Sequence, residues 1–385
     1  MQQLGKRTKG MARSLLGAAA LVAATVFMAC DVGGVVTAAD EGAVAEDRAV
    51  IPAYAKGVDI SEAYYAAGKG VVFKDTNGTA KAPLQIFTDH GYTWARVRLM
   101  VDGTTDYALF QDMTYVKAAA KDIKAKGMKF LLDLHYSHWW ADPANQWIPN
   151  RWKSYANVTA LSSAVRSYTK DVMAQLVAQG TPPDMVQIGN EVNNGMLWDI
   201  GRLSSISNFA KLEAAGAYGI QDGKGSAAMP PIMVHIAKDM SSSAAVTWYK
   251  NFIAAGGWVD AIGLSYYPMW HGSQSDLSNT IKALRSAFSW APVWVVETAY
   301  YWSKNQGGYT GSQVPYAQTP AGQAAFLAAT KNTVKNAGGS GLFYWGAFWA
   351  QSSKWLKAPG WSNDDASRRS LFNDNAVAQP GIDSL

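Results

Sequence analysis

From Lys56 onward the chain alternates between two hydrophobic rhythms. Short runs, β-branched or aromatic and often apolar at every position, recur at 57–61, 94–100, 129–136, 185–191, 232–237, 261–268, 293–299 and 341–347. A run that is apolar on both faces reads as a parallel strand covered on both sides. Between these runs, segments 109–126, 161–179, 208–220, 244–255, 276–288 and 322–337 carry apolar residues at helical spacing. Val116, Ala119, Ala120 and Ile123 share a face in the first, and Gly127 ends it. Val165, Tyr168, Val172, Leu176 and Val177 do the same in the second, and Gly180 ends it. Eight such repeats predict an α/β fold, a (β/α)8 TIM barrel that forms one catalytic domain over residues 55–385. The competing fold, a doubly wound open sheet, carries a Gly-rich phosphate loop after its first strand, and this chain has none there.

The first 54 residues follow neither rhythm. Lys6, Arg7, Lys9 and Arg13 precede an apolar stretch from Leu15 to Ala29, and no acid occurs in the first 29 residues. That is the layout of an export signal, too short to span a bilayer comfortably. Cys30, the only cysteine, follows directly. Phe27-Met28-Ala29-Cys30 resembles the bacterial lipobox, which would make Cys30 a lipid anchor to a membrane. The alternative is a secretory signal cut later, after Ala39. Residues 30–54, rich in Ala, Val and Gly, read as a tether. The signal also accounts for the charge. The formal +5 of the full chain falls to 30 basic against 29 acidic residues once those four are set aside, so no basic surface for nucleic acid is indicated. One cysteine allows no disulfide within the chain.

The chemistry is sought where the predicted strands end, because a TIM barrel assembles its site on that face. The fourth run ends in Asn190-Glu191 and the seventh carries Glu297. A carboxylate closing an apolar strand is costly to bury without a task. Two of them facing one barrel mouth suit glycosidic bond hydrolysis, in which one carboxyl protonates the leaving oxygen and the other, ionised, attacks the anomeric carbon. The 16 Trp and 18 Tyr fit this, since sugar CH faces stack on flat rings.

The local words are more specific. His135-Tyr136-Ser137, Trp140-Ala141-Asp142-Pro143, Gln187-Ile188-Gly189-Asn190-Glu191, Asn194-Gly195-Met196-Leu197-Trp198, Ser265-Tyr266-Tyr267-Pro268 and Val295-Val296-Glu297-Thr298 occur in order. Together they resemble the family 53 endo-β-1,4-galactanases of the retaining (β/α)8 glycosidase clan, over about residues 57–349. The resemblance implies endo-hydrolysis of β-1,4-galactan in pectin side chains, with Glu191 as acid/base and Glu297 as nucleophile. It also implies a Trp under the sugar at the cleavage point, here Trp345. Around the pair, Asn190 is expected to bond the sugar 2-hydroxyl. Arg98, rather than Arg96 of the same parity, is expected to pair with Glu297 and hold its pKa low. Tyr267 is expected to donate to Glu297. His135, His235 and Asp59 are candidates for sugar hydroxyls, and Trp140 and Trp198 for sugar platforms among the loop tryptophans.

Some positions depart from the family pattern. His138 stands where an acid is common, Met100 where a Trp is common, and Trp345-Gly346-Ala347 lacks the usual Glu-Pro. The 300–318 loop has no acidic residue, so no calcium is expected there. His135 and His138 lack further ligands for zinc. The expectation is therefore an exported monomer that needs no cofactor or metal and acts on a polysaccharide. The alternatives are a mannanase, xylanase or cellulase of the same clan, and a non-catalytic surface protein that captures glycans.

Overall fold

The computed structural model describes residues 54–104, 106–356 and 363–385. The export signal, Cys30 and all of the tether but Tyr54 lie outside the described residues. The strands are β1 (Ala55–Asp59), β2 (Trp94–Leu99), β3 (Lys129–Leu134), β4 (Met185–Ile188), β5 (Ile232–Ala237), β6 (Ala261–Ser265), β7 (Val293–Thr298) and β8 (Gly341–Tyr344). They pair in chain order, every pair parallel, and β8 closes on β1. This is the TIM barrel that the alternating rhythm predicts.

Among the described residues, seven helices of seven or more residues cover the outside: α1 (Pro83–Asp89), α2 (Met113–Ala125), α3 (Val158–Ala178), α4 (Ile206–Gly223), α5 (Ser242–Ala254), α6 (Gln274–Ala287) and α7 (Pro320–Asn336). Their starts are written in local chemistry. Asp112, Asn157, Ser241 and Thr319 each accept a backbone N–H from the first turn of the helix they precede. Ser273 and Asp276 form a reciprocal capping box on α6. Gly127 and Gly180 take φ of 70° and 79° where α2 and α3 stop, the left-handed turn that favours glycine. Two expectations change. α1 is too short to display a period and was not foreseen. After β8, the described residues contain no long eighth helix. The short helix Asn363–Ser367 and the turn Pro380–Asp383 follow instead, and the latter packs on α7.

Most predicted strands run past the observed ones. The ladder ends where the chain leaves the barrel to build its mouth. On β4 the last paired residue is Ile188. Gly189 at φ 74° and Glu191 at φ 46° then turn the chain sharply. A glutamate in that conformation is strained, by about 1–2 kcal/mol.

Candidate active site

The barrel interior is read from residues two apart along each strand. Trp94, Leu131, Met185 and Met233 point inward low in the barrel and form one apolar cluster with Trp294, Val296 and Phe343. One step higher, Arg96, Asp133, Gln187 and His235 point inward and are buried.

Arg96 organises this upper layer. Its Nη1 donates to Asp59 Oδ2 at 2.8 Å and lies 2.9 Å from Glu297 Oε1. Its Nη2 donates to Asp133 Oδ2 at 3.0 Å and to Asn190 Oδ1 at 2.8 Å, and its Nε to Gln187 Oε1 at 3.1 Å. Four hydrogen bonds and an ion pair thus occupy the guanidinium. The expected partnership of Glu297 with Arg98 is overturned. Arg98 sits one pleat higher, where its Nη2 meets Glu62 Oε1 at 2.5 Å and its Nε donates to Gln111 Oε1 at 3.2 Å. Nearness to the strand end favoured Arg98 in the sequence. The deeper layer in which Glu297 lies favours Arg96.

Strict alternation would not bring Glu297 inward, because Val296 already faces the lumen. The register shifts on both sides of β7. Leu264 pairs with Val295 but Ser265 pairs with Glu297, and Val295 pairs with Leu342 but Thr298 with Tyr344. This bulge inserts one residue and re-aims the carboxylate. Tyr267, at the end of β6, donates its hydroxyl to Glu297 Oε2 at 3.1 Å, the geometry the sequence predicted.

A cavity of about 530 Å³ opens over this layer. Glu191, Glu297, Asn190, Arg96, Arg98, Tyr267, Trp140 and Trp345 all line it. Burial pushes the Glu191 carboxyl well above the ordinary range, the nearby Glu297 charge raises it further, and a hydrogen bond with Ser265 pulls the other way. Burial raises Glu297 too, while the Arg96 guanidinium opposes it and Tyr267 helps. The expectation of a depressed Glu297 is therefore not met. The difference between the two still has a clear cause: Arg96 touches Glu297, so the proton the pair retains belongs on Glu191.

Three predicted sugar contacts turn out to be structural. Asp59 is fully buried, held by Arg96 and by the Ser61 N–H at 2.9 Å. His235 is fully buried, with Nδ1 3.0 Å from Asn190 Oδ1 and Nε2 2.8 Å from Ser265 Oγ. Burial holds it well below its ordinary pKa, and so neutral. His135 lines the cavity, but its Nε2 accepts the Ala141 N–H at 3.0 Å and its Nδ1 faces Asp133 Oδ2 at 3.2 Å, leaving no ring nitrogen for a hydroxyl. Asn190 keeps one Nδ2 proton for the cavity; the other goes to Ala141 O at 2.8 Å. Trp140 stacks under the Arg98 guanidinium at 4.3 Å and Trp345 stands 6.1 Å from it. Trp198 does not line the cavity; Arg202 covers its ring at 4.1 Å.

The cavity also includes Asp142, Asp239, Trp270, His271 and Arg369, none singled out beforehand for its own role except Trp270, as one loop tryptophan among several. Asp239 lies two residues past β5, where reading one step beyond each strand end would have found it. Arg369 lies in the segment after β8, and no sequence signal marks it. Among the described residues no three His, Cys, Asp or Glu side chains converge as a metal-ligand set.

Comparison with known proteins agrees with this fold. The family described as glycosyl hydrolase family 53 matches residues 55–385. The chain is 33% identical to an arabinogalactan endo-β-1,4-galactanase of Cellvibrio japonicus over 333 residues, 81% of this chain and 87% of that one. It is also 33% identical to a probable arabinogalactan endo-β-1,4-galactanase A of Neosartorya fischeri over 310 residues, 77% of this chain and 85% of that one. The solved GH53 catalytic domain of Ignisphaera aggregans superposes with a TM-score of 0.76 at 28% identity, covering 87% of this chain and 98% of that one.

Proposed function

We infer, from the premise that this chain belongs to glycosyl hydrolase family 53, that it hydrolyses β-1,4-galactosidic bonds within galactan chains, with retention. The observation that carries the reading is the asymmetric carboxyl pair: Glu297 re-aimed by the β7 bulge onto Arg96 and Tyr267, and Glu191 raised above it by burial and by the charge of Glu297. The Cellvibrio and Neosartorya relatives, named as galactanases, supply the substrate class.

In the first step a Glu297 oxygen attacks the anomeric carbon and the bond to the leaving oxygen breaks. The Glu191 proton goes to that oxygen, so the departing chain leaves as a neutral alcohol. Arg96 and Tyr267 hold Glu297 ionised and aimed before attack. In the second step Glu191, now ionised, takes a proton from water. The resulting hydroxide equivalent attacks the same carbon and releases Glu297. Retention needs the two carboxyls about 5–5.5 Å apart. The two carboxyls and the attacking water supply every proton in this cycle, so no cofactor is invoked. Trp345 and Trp140 offer rings to the sugar, and Asn190 one N–H to a hydroxyl beside the reacting carbon.

Residues 1–29 are proposed to export the protein and Cys30 to tether it to a membrane by lipid. The sole cysteine directly after the apolar stretch supports this. Labelling cells with a fatty-acid probe and comparing the native protein with C30S tests it: label and membrane retention are expected only with Cys30.

The function itself is tested by digesting unbranched β-1,4-galactan and sizing the products. Internal cleavage to short oligomers with β-configured new ends is expected. Glu297→Ala should lower kcat by about 10⁴-fold. Unchanged hydrolysis by that variant, or products with inverted ends, would overturn the assignment.

A further inference from the structure

Glu191 stands on a backbone turn that does not hold itself. Its φ of 46° is a conformation that a glutamate keeps only where its surroundings fix it. Those surroundings come from the loop after β3. Gln146 of that loop is 3% exposed and does not line the cavity. Its Nε2 donates to Asn190 O at 2.8 Å and to Glu191 O at 3.3 Å. These are the two peptide carbonyls on either side of the Glu191 Cα. In extended backbone, successive carbonyls point to opposite sides. One amide therefore reaches both only while Glu191 stays turned, and Gln146 selects the strained form.

Gln146 is itself anchored. Its Nε2 also donates to Asp142 O at 3.1 Å. Asp142 and Asn145 close a tight turn, their N–H groups donating to each other's carbonyls at 2.9 and 3.1 Å. The backbone carbonyl of Gln146 accepts the Trp198 N–H at 2.7 Å. Asn190 Nδ2 donates to Ala141 O and Asn194 Nδ2 to Pro143 O, each at 2.8 Å. The loops after β3 and β4 are thereby joined before and after Glu191. At position 146 an Asn would fall one methylene short of these carbonyls, and a Glu would turn a carboxylate toward them.

We propose that Gln146 is a positioning residue for the reaction: its carboxamide holds the Glu191 turn against the β3 loop, so that the carboxyl meets the leaving oxygen. Without the amide, the Asn190 and Glu191 carbonyls lose their donor, and the turn gains by relaxing toward another. A shift of about 1 Å in a reacting group costs about 10²-fold in rate. The proposal rests on the reading of Glu191 as acid/base.

The test uses the leaving group. A poor one needs the Glu191 proton, whereas a good one departs without it. kcat/KM is measured for wild type, Q146A, Q146N and Glu191→Ala on a β-1,4-galacto-oligosaccharide and on 2,4-dinitrophenyl β-1,4-galactobioside. Q146A should lose about 30–100-fold on the oligosaccharide and less than about threefold on the aryl glycoside. Q146N should show the same split at smaller size, and Glu191→Ala at larger size. A Q146A loss equal on both substrates, no loss on either, or failure of both Gln146 variants to fold overturns the proposal. If Glu191→Ala itself shows no split, the acid/base reading fails, and the role of Gln146 falls with it. If wild type leaves galacto-oligomers intact, the substrate class fails instead. The matching manno-, xylo- or gluco- pair that it does cleave is then used, and the same split decides.

Discussion

The barrel lumen contains two layers that differ in almost every property although they are two residues apart on the same strands. Below, Trp94 and Trp294 meet edge to face at 5.3 Å amid Leu131, Met185, Met233 and Phe343. The fit is close enough that a Cβ on Gly57 would come within 2.3 Å of Phe343. Above, Arg96 binds three carboxylates and two amide oxygens. The lower layer is held by non-directional burial, and each side chain contributes largely on its own. The upper layer holds only as a set, because a charge left behind in a buried site is far more costly than a missing methyl group. The hydrocarbon floor also keeps water from the ion pairs above it, which strengthens them. Stability and chemistry are thus segregated by height in a single barrel.

Substitutions at matched heights should expose the division. Beside the loss already expected for Glu297→Ala, the largest effect on catalysis is expected for Glu191→Gln, which lowers kcat by about 10²–10⁴-fold on galactan. The pH profile of kcat/KM gives its signature. The active form has Glu191 protonated and Glu297 ionised. Activity should therefore fall as rising pH strips Glu191, whose pKa lies above the ordinary carboxyl range, and fall again as acid protonates Glu297. In Glu191→Gln the alkaline fall should vanish while the acid limb stays. If the alkaline limb persists, the proton belongs to another group.

Next comes Arg96→Met, which leaves Asp59, Asp133 and Glu297 facing one another. It should lower unfolding free energy by about 3–5 kcal/mol in urea titration and abolish most activity in the fraction that folds. The smallest effect is expected in the floor: Met233→Leu should cost less than about 1.5 kcal/mol and leave kcat unchanged. A change in kcat from Met233→Leu comparable to that from Arg96→Met would end the distinction between the layers.

Much of this was legible in order along the chain. The eight apolar runs, the glycine stops at Gly127 and Gly180 and the two glutamates all appear as local patterns, because each depends on strand or helix period alone. The choice between Arg96 and Arg98 was not legible. Both share a parity, and which one reaches Glu297 depends on the depth at which β7 delivers that carboxylate. His135, His235 and Asp59 failed as sugar contacts for a related reason: a polar residue near a strand end faces the mouth, but only its neighbours decide whether its polar atoms are already taken. Arg369 could not be found at all, since its route into the cleft runs through contacts between the β7 loop and a segment far along the chain.

The amino-acid order by itself determined the eight strands, most of the long helices and the presence of a glutamate at the ends of the fourth and seventh runs, since periods of two and of three to four are properties of neighbours in sequence. Only the closed barrel decided which charges meet. The β7 bulge turns Glu297 inward against its own alternation, and the register of β2 against β1 sets Arg96 beside Asp59, within reach of Asp133 and Glu297 across the lumen. Those are relations between strands, and a single strand carries no record of them.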